Sequence, residues 1–117
     1  LVTEIRRTGE VRVSVRACAV CHSDIAALNG AWGGDVPVVL GHEAAGIVEE
    51  VGPGADGLAP GDRVVVSLVR HCGTCARCRA GEPTLCTATF RLDETSPIRL
   101  ADGRRARQGI RCGAFAE

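Results

Sequence analysis

The chain has 117 residues, enough for one domain or part of one, and 45% of them are hydrophobic. Its formal net charge at pH 7 is zero, which argues against a nucleic-acid partner or an acidic membrane surface. No stretch approaches the roughly 18 apolar residues of a membrane span. With two Phe, one Trp and no Tyr or Met, the core must consist mostly of Val, Ala and Leu.

The first half of the chain predicts two strands and a short helix. Valines alternate with polar residues over 10–16, which predicts a half-buried strand. Residues 23–28 are predicted to form a short helix that starts near His22 or Ser23 and stops at Asn29-Gly30. A glycine-rich loop over 31–37 follows, and residues 45–51 are predicted to form a second strand.

The second half is less regular. A turn at 60–62 leads into the apolar run 63–69, which predicts a third strand whose apolar face, around Val65, is buried. Residues 84–107 show no pattern that places them, and residues 113–116 are predicted to begin another strand. Many short strands separated by Gly and Pro turns favour a mainly β fold, a partly closed barrel with short helices.

Four of the seven cysteines lie close together: two residues separate each of the first three, and seven precede the fourth (Cys72, Cys75, Cys78 and Cys86). Three thiols at this spacing can hold one small ion from a single loop, and the fourth completes a tetrahedron. Four thiolates bound at about 2.3 Å leave no position for water or substrate. The pattern therefore predicts a structural zinc that holds a lobe over about residues 70–90.

Two other uses of these cysteines are possible. A disulfide framework requires an oxidising compartment, but residues 1–15 carry charges throughout, unlike a secretory signal, and the number of cysteines is odd. The expected location is therefore the cytoplasm. An iron–sulfur cluster also takes thiolate ligands, and the spacing alone does not distinguish it from zinc.

Two further segments carry residue types that bind metals, the runs Cys21-His22-Ser23-Asp24 and Gly41-His42-Glu43. Alone, Cys21 is typical of a small buried side chain, and His42 of a hydrogen-bonded histidine. Together they offer a thiolate and an imidazole to a zinc with three protein ligands and one open position. Asp24 and Glu43 would then orient these ligands and balance their charge.

These motifs and their order resemble the zinc-dependent medium-chain alcohol dehydrogenases. The resemblance rests on four segments: Cys21-His22-Ser23-Asp24, Gly41-His42-Glu43-Ala44-Ala45-Gly46, Gly61-Asp62-Arg63-Val64 and the four-cysteine run. It implies that residues 1–117 are part of a GroES-like β-barrel catalytic domain, normally followed by a Rossmann NAD(P)-binding domain. That second domain is absent from this sequence, so the chain is expected to be a segment of a longer protein.

The resemblance implies a set of metal ligands. Cys21 and His42 look like ligands of a catalytic zinc, whose third ligand in the family lies beyond Glu117. Glu43 looks like the nearby acid that can approach or replace a metal-bound water, and Asp24 like the carboxylate that orients His42. The four-cysteine run looks like the family's structural-zinc lobe.

It also implies residues for proton transfer, cofactor and substrate. Ser23 looks like the hydroxyl that takes the substrate proton, and His22 like a contact to the cofactor phosphate. Trp32 and Leu68 fall where the family lines its substrate pocket, although each is also typical of a core. Some family members pass the proton to a histidine three residues after the hydroxyl; Ala26 stands there and cannot do so.

The implied reaction is the oxidation of a small alcohol to an aldehyde or ketone, with hydride transfer to NAD or NADP, by a homo-oligomeric parent enzyme. Two alternatives remain. One is a zinc-stabilised structural or interaction module without catalysis, which would need only the four cysteines. The other keeps the enzyme class but changes the substrate: a formaldehyde dehydrogenase that acts on a thiol adduct, or a polyol or amino-alcohol dehydrogenase.

Overall fold

The computed structural model describes residues 8–116. Its principal sheet has three antiparallel strands in the order β1 (Val11–Ala19), β3 (Glu43–Val51) and β4 (Arg63–Val66). A second, parallel pair joins β2 (Val38–Val39) to β5 (Arg107–Gln108). Over the described residues the principal sheet does not close on itself into a full barrel. The predicted mainly β, partly closed architecture is therefore confirmed.

The helices are short and lie between the strands. They are α1 (His22–Leu28), α2 (Ala76–Arg79) and α3 (Arg91–Glu94), with single 3-10 turns at Pro83–Leu85 and Gly109–Arg111. As predicted, α1 starts at His22 and stops before Asn29-Gly30: it ends at Leu28, with Asn29 as the C-cap and Gly30 at a φ of 76°. Its 7 residues make it the longest helix in the described part of the chain, well below the about 20 residues of a membrane span.

The register of β1 and β3 decides which residues meet at the end of the sheet. Val11 pairs with Val51 at one end, and Ala19 pairs with Glu43 at the other. Gly46 lies where the strands approach most closely, since a Cβ there would be 2.3 Å from the carbonyl oxygen of Ser14. The residues just after β1 and just before β3 therefore lie side by side.

The core consists of small aliphatic side chains. Ala44 and Val48 of β3 are buried together with Ile98, Ala106 and Ala114 from the second half of the chain. The predicted core of Val, Ala and Leu is right for alanine, but among the described residues only one valine and no leucine are buried. Ile98 and Ala106 come from the stretch that the sequence could not place.

Three sequence expectations are wrong. The strand predicted over 63–69 stops at Val66, and Val65 is 83% exposed because β4 is a sheet edge that nothing covers within the described residues. Residues 113–116 form no strand. Trp32 and Leu68 are not core residues, because both side chains are exposed.

Candidate metal centres

The strand register brings Cys21 and His42 together. Cys21 follows β1 by two residues and caps the start of α1 in an extended conformation. His42 directly precedes β3. Because Ala19 and Glu43 are paired neighbours, both residues lie at the same end of the principal sheet. The pairing of β1 with β3 therefore brings Cys21 and His42 close together although they are far apart in sequence.

Three possible metal ligands converge at this end of the sheet. The Cys21 thiol, a His42 ring nitrogen and a Glu43 carboxylate oxygen all lie within 4.8 Å of one another. The Cys21 side chain is half-buried, that of His42 is buried and that of Glu43 is exposed. Thiolate, imidazole and carboxylate are the donors that zinc prefers, so the residues present fit a zinc ion.

Contacts with neighbouring side chains give the two nitrogens of His42 different roles. Nδ1 lies 3.4 Å from Asp24 Oδ1, within ion-pair reach but long for a hydrogen bond. Nε2 lies 3.2 Å from the Ser23 hydroxyl oxygen. With a proton on Nδ1, that proton would face the carboxylate, and the Nε2 lone pair would accept the Ser23 hydroxyl or bind a metal in its place.

Asp24 connects both ligand-bearing segments. Its side chain is almost fully buried, with 1% of its surface exposed. Oδ2 accepts the Cys21 amide at 3.0 Å, and Oδ1 accepts the Gly41 amide at 3.0 Å. Burial raises the pKa of this carboxyl, but the two amides and the adjacent His42 outweigh burial, so the pKa lies below its ordinary value. Asp24 is therefore ionised at neutral pH and presents a negative charge to His42.

Gly41 has a conformation and surroundings that exclude a side chain. Its φ of +92° lies in the left-handed region. A Cβ there would be 2.8 Å from the Phe115 amide nitrogen and 3.0 Å from Cys18 Sγ. Glycine is thus required directly before His42 for both backbone and steric reasons.

The four-cysteine lobe forms a second cluster. Its four sulfurs lie within 4.8 Å of one another, and Cys75 Sγ is 3.5 Å from Cys78 Sγ and 3.9 Å from Cys86 Sγ. Sulfurs bound at about 2.3 Å to a tetrahedral zinc lie about 3.8 Å apart. A disulfide bond would need about 2.05 Å, and all the cysteines are free thiols. The spacing therefore fits one ion.

Amide and hydroxyl donors prepare the lobe for metal binding. The hydroxyl and amide of Thr74 lower the pKa of Cys72 to about 5, and backbone amides lower the pKa of Cys75 to about 7. Burial and the neighbouring thiols raise the pKa of Cys78 to about 11. Thiolate charge is thus favoured at two of the four positions, and closing the full set around a cation requires a proton to leave Cys78.

Of the remaining predicted residues, only Ser23 has a described contact with the first cluster. His22 is the exposed first residue of α1, and Ser23 is half-buried beside His42. Trp32 and Leu68 are both exposed, with 59% and 36% of their surfaces accessible. Ala26 lies within α1 and has no proton to pass on.

Two features of the site escaped the sequence. The first is Asp24 as an acceptor of two backbone amides. The Cys-x-x-Asp spacing at a helix start could have indicated one of the two bonds, the one from Cys21. A residue three positions into a helix can accept the amide of the capping residue. The second is the contact of Ala114 and Phe115 with residues 40–41, for which the sequence gives no local signal.

The chain is similar to known proteins over most of its length. The family model for the alcohol dehydrogenase GroES-like domain matches residues 7–117. The S-(hydroxymethyl)glutathione dehydrogenase of Paracoccus denitrificans is 37% identical over 118 residues, covering 94% of this chain and 32% of that protein. The NDMA-dependent alcohol dehydrogenase of Amycolatopsis methanolica is 44% identical over 80 residues, covering 68% of this chain and 22% of that protein.

A solved structure shows the same fold. The alcohol dehydrogenase zinc-binding domain protein from Burkholderia ambifaria superimposes with a TM-score of 0.80 at 35% identity, over 96% of this chain and 31% of that one. The chain thus spans about a fifth to a third of the length of these relatives. From the domain match, the identity to these relatives and the shared fold, the chain belongs to the zinc-type alcohol dehydrogenase family and corresponds to its GroES-like domain.

Proposed function

We propose that residues 1–117 form the zinc-binding part of an NAD(P)-dependent dehydrogenase that oxidises a small alcohol to an aldehyde or ketone. The observation that carries this proposal is the convergence of Cys21, His42 and Glu43 within 4.8 Å, with Ser23 at 3.2 Å from His42. A purely structural module would need only the four-cysteine lobe. It would have no use for a second set of donors backed by a buried carboxylate.

The residues of the chain divide the work. Cys21 and His42 would hold a zinc ion together with Glu43 or with a ligand from elsewhere in the protein. When bound, zinc supplies a Lewis acid for the substrate oxygen, and a nicotinamide cofactor supplies the redox step. Asp24 keeps the Nδ1 proton of His42 in place, so that Nε2 faces the ion. The four cysteines of the lobe would hold a structural zinc.

Ser23 is the proposed proton acceptor. Its hydroxyl is beside His42 Nε2, and therefore beside the position of a substrate hydroxyl. It can take the substrate proton while passing its own to water or to a cofactor hydroxyl, because Ala26 offers no onward path. His22, exposed at the start of α1, would contact the phosphates of the cofactor.

The test is the kinetics of the full-length protein. This chain alone is expected to show no measurable NAD(P)-dependent alcohol oxidation. In the full-length protein, Ser23→Ala is expected to lower kcat by about 10²–10⁴-fold with little change in cofactor affinity, because it removes a proton acceptor. His22→Ala should mainly weaken the cofactor, because its role is binding.

Ser96→Ala is the matched control, since its hydroxyl accepts only a local amide, that of Ile98, in the described contacts. Full turnover of Ser23→Ala with every alcohol tried would contradict the proton-transfer role. Absence of any NAD(P)-dependent oxidation by the full-length protein would contradict the function itself.

A second substrate class has specific support. The relative from Paracoccus denitrificans, whose name gives S-(hydroxymethyl)glutathione as its substrate, matches 94% of this chain, whereas the Amycolatopsis methanolica alcohol dehydrogenase matches 68%. A thiol adduct of formaldehyde is therefore the alternative substrate. Parallel assays with formaldehyde plus glutathione and with simple primary alcohols decide between the two.

A further inference from the structure

Residues 109–115, here termed the C-terminal segment, lie against the loop that carries His42. The amide of Ala114 donates to the carbonyl of Gly41 at 3.0 Å, and the amide of Phe115 donates to the carbonyl of Leu40 at 2.9 Å. On the opposite side, the Gly41 amide is held by Asp24. Both polar groups of the Leu40–Gly41 peptide and the carbonyl of the Gly41–His42 peptide are thus anchored.

The Phe115 ring lies over the α-carbon of Gly41. A Cβ at Gly41 would be 2.9 Å from Phe115 Cγ and 2.8 Å from the Phe115 amide nitrogen, so the two residues are in close contact. Phe115 nevertheless remains 44% exposed. A side chain with this exposure contributes only part of the stability of a core phenylalanine, and the ring lies against the backbone that leads into His42.

The C-terminal segment is itself tightly constrained. Ile110 and Arg111 have φ values of 49° and 63°, a left-handed conformation that is rare for a β-branched residue. Arg70 donates to the Arg111 carbonyl, and Gln108 Nε2 donates to the Cys112 carbonyl at 3.1 Å. Such a conformation persists only where the surroundings fix it, so this segment is a firm support rather than a passive loop.

Close packing continues along the same loop. A Cβ on Gly109 would lie 2.7 Å from Leu40 Cδ2 and 2.8 Å from the Val39 carbonyl oxygen. The segment therefore contacts three consecutive residues of the loop, from Val39 to Gly41. A shift of the segment must move the backbone that leads into His42.

We infer that Phe115 is a positioning residue for the metal ligand His42, acting through Gly41. This inference rests on the proposed function, because it assigns His42 to a metal. It adds that ligand geometry depends on a ring more than 70 positions away in the sequence, outside every motif that identifies the family. Removing the ring takes away the side-chain packing on the Gly41 α-carbon, which loosens the backbone that aims the imidazole toward Cys21 and Glu43.

The experiment uses the full-length protein with zinc preloaded in the four-cysteine lobe, followed by titration with Co²⁺. Phe115→Ala is expected to weaken Co²⁺ binding at the Cys21 cluster about tenfold, the lower end of what supporting residues of metal sites contribute. It should also change the d–d absorption of the bound ion. The Co²⁺ affinity of Phe115→Leu should lie between those of Phe115→Ala and the wild type. Leu58→Ala is the matched control, because Leu58 is similarly exposed at 40%.

A second measurement does not depend on the added metal. The hydrogen exchange of the Gly41 amide should accelerate in Phe115→Ala, while that of the Val48 amide in β3 should stay unchanged. If the wild-type full-length protein takes no Co²⁺ beyond the lobe, the proposed function fails, and amide exchange alone decides the role of Phe115.

Each remaining outcome is decisive. A folded Phe115 variant with wild-type Co²⁺ affinity, spectrum and Gly41 exchange overturns the inference. If Phe115→Ala does not fold, Phe115→Leu carries the same comparison. The positioning role is refuted if neither variant folds, or if the Val48 amide accelerates in exchange as much as the Gly41 amide. In either case Phe115 supports the whole fold rather than His42.

Discussion

Replacement of Asp24 by asparagine tests the centre of the site. The carboxylate is buried and accepts two backbone amides, each at 3.0 Å, from Cys21 and Gly41. An asparagine has one acceptor oxygen, so its NH₂ group must face one of the two donors. Because a hydrogen bond to a charged group contributes about 1.5–3 kcal/mol, and one is lost while the other loses its charge, we expect Asp24→Asn to lower the free energy of unfolding by about 3 kcal/mol.

The effect should depend on pH in a defined direction. The pKa of Asp24 in the folded chain lies below its ordinary value, whereas in the unfolded chain it is about 3.9. The stabilisation from the ionised carboxylate is therefore complete well above about pH 4. It declines as the pH falls through the lowered folded pKa. Asparagine does not titrate, so the gap between wild type and variant should shrink at acidic pH.

Urea denaturation followed by far-ultraviolet circular dichroism measures this gap at pH 7 and at pH 3.5. Asp62→Asn is a close control, because Asp62 accepts the amide three residues earlier, that of Ala59 at 2.8 Å, but is exposed. Its effect should stay within about 1 kcal/mol, since water replaces the lost contact. A free energy of unfolding for Asp24→Asn within about 0.5 kcal/mol of wild type at pH 7 would refute the reasoning, as would a gap that widens at low pH.

Two other predictions concern the metals. Cys75→Ser should abolish metal binding at the lobe and sharply increase proteolysis over residues 70–91, while the circular dichroism of the strands persists; a collapse of the β signal would show that the sheet depends on the lobe. Metal analysis after mild chelation should find about one zinc per chain, held by the four thiolates, and Glu43→Gln should leave that number unchanged. Two retained zinc ions would mean that a third ligand of the other site lies within these residues, and loss of the second ion in Glu43→Gln would identify it as Glu43; iron with sulfide would overturn zinc.

Local patterns were sufficient to predict the strands and helix that surround the site. The alternating valines before Cys21 and the Asn29-Gly30 stop are short-range signals, and the structure confirms β1 and α1. Extended backbone after Gly41 was likewise readable, although β3 starts at Glu43, two residues before the predicted boundary. Strand pairing supplies hydrogen bonds that extend an element beyond its sequence pattern.

The errors share a physical origin. Val65 belongs to an apolar run, but burial depends on what covers a strand, and a sheet edge is not visible in the run itself. Residues 113–116 were predicted to form a strand, yet their amides at Ala114 and Phe115 bond to a single loop rather than to a partner strand. In both places contacts between distant parts of the chain override local preference.

The site was predicted in kind but not in detail. Residue types and spacing indicated that Cys21 and His42 would suit a metal, and the structure places their donor atoms together with that of Glu43. Nothing in the sequence indicated that Asp24 accepts the Gly41 amide, because that contact depends on the angle between α1 and the end of the sheet. Geometry of this kind emerges only from tertiary packing.

The two clusters also differ in when they can form during synthesis. Cys72 and Cys86 are only 14 positions apart, so the lobe needs one short loop to close, at a small entropic cost. It can enclose an ion while the chain beyond it is still leaving the ribosome. The loop before His42 gains its last backbone partners only when Ala114 and Phe115 have emerged. Because the chain is synthesised from its N-terminus, the lobe can close around its ion before the other site forms. The four thiolates are then in place when the backbone before His42 receives its last hydrogen bonds.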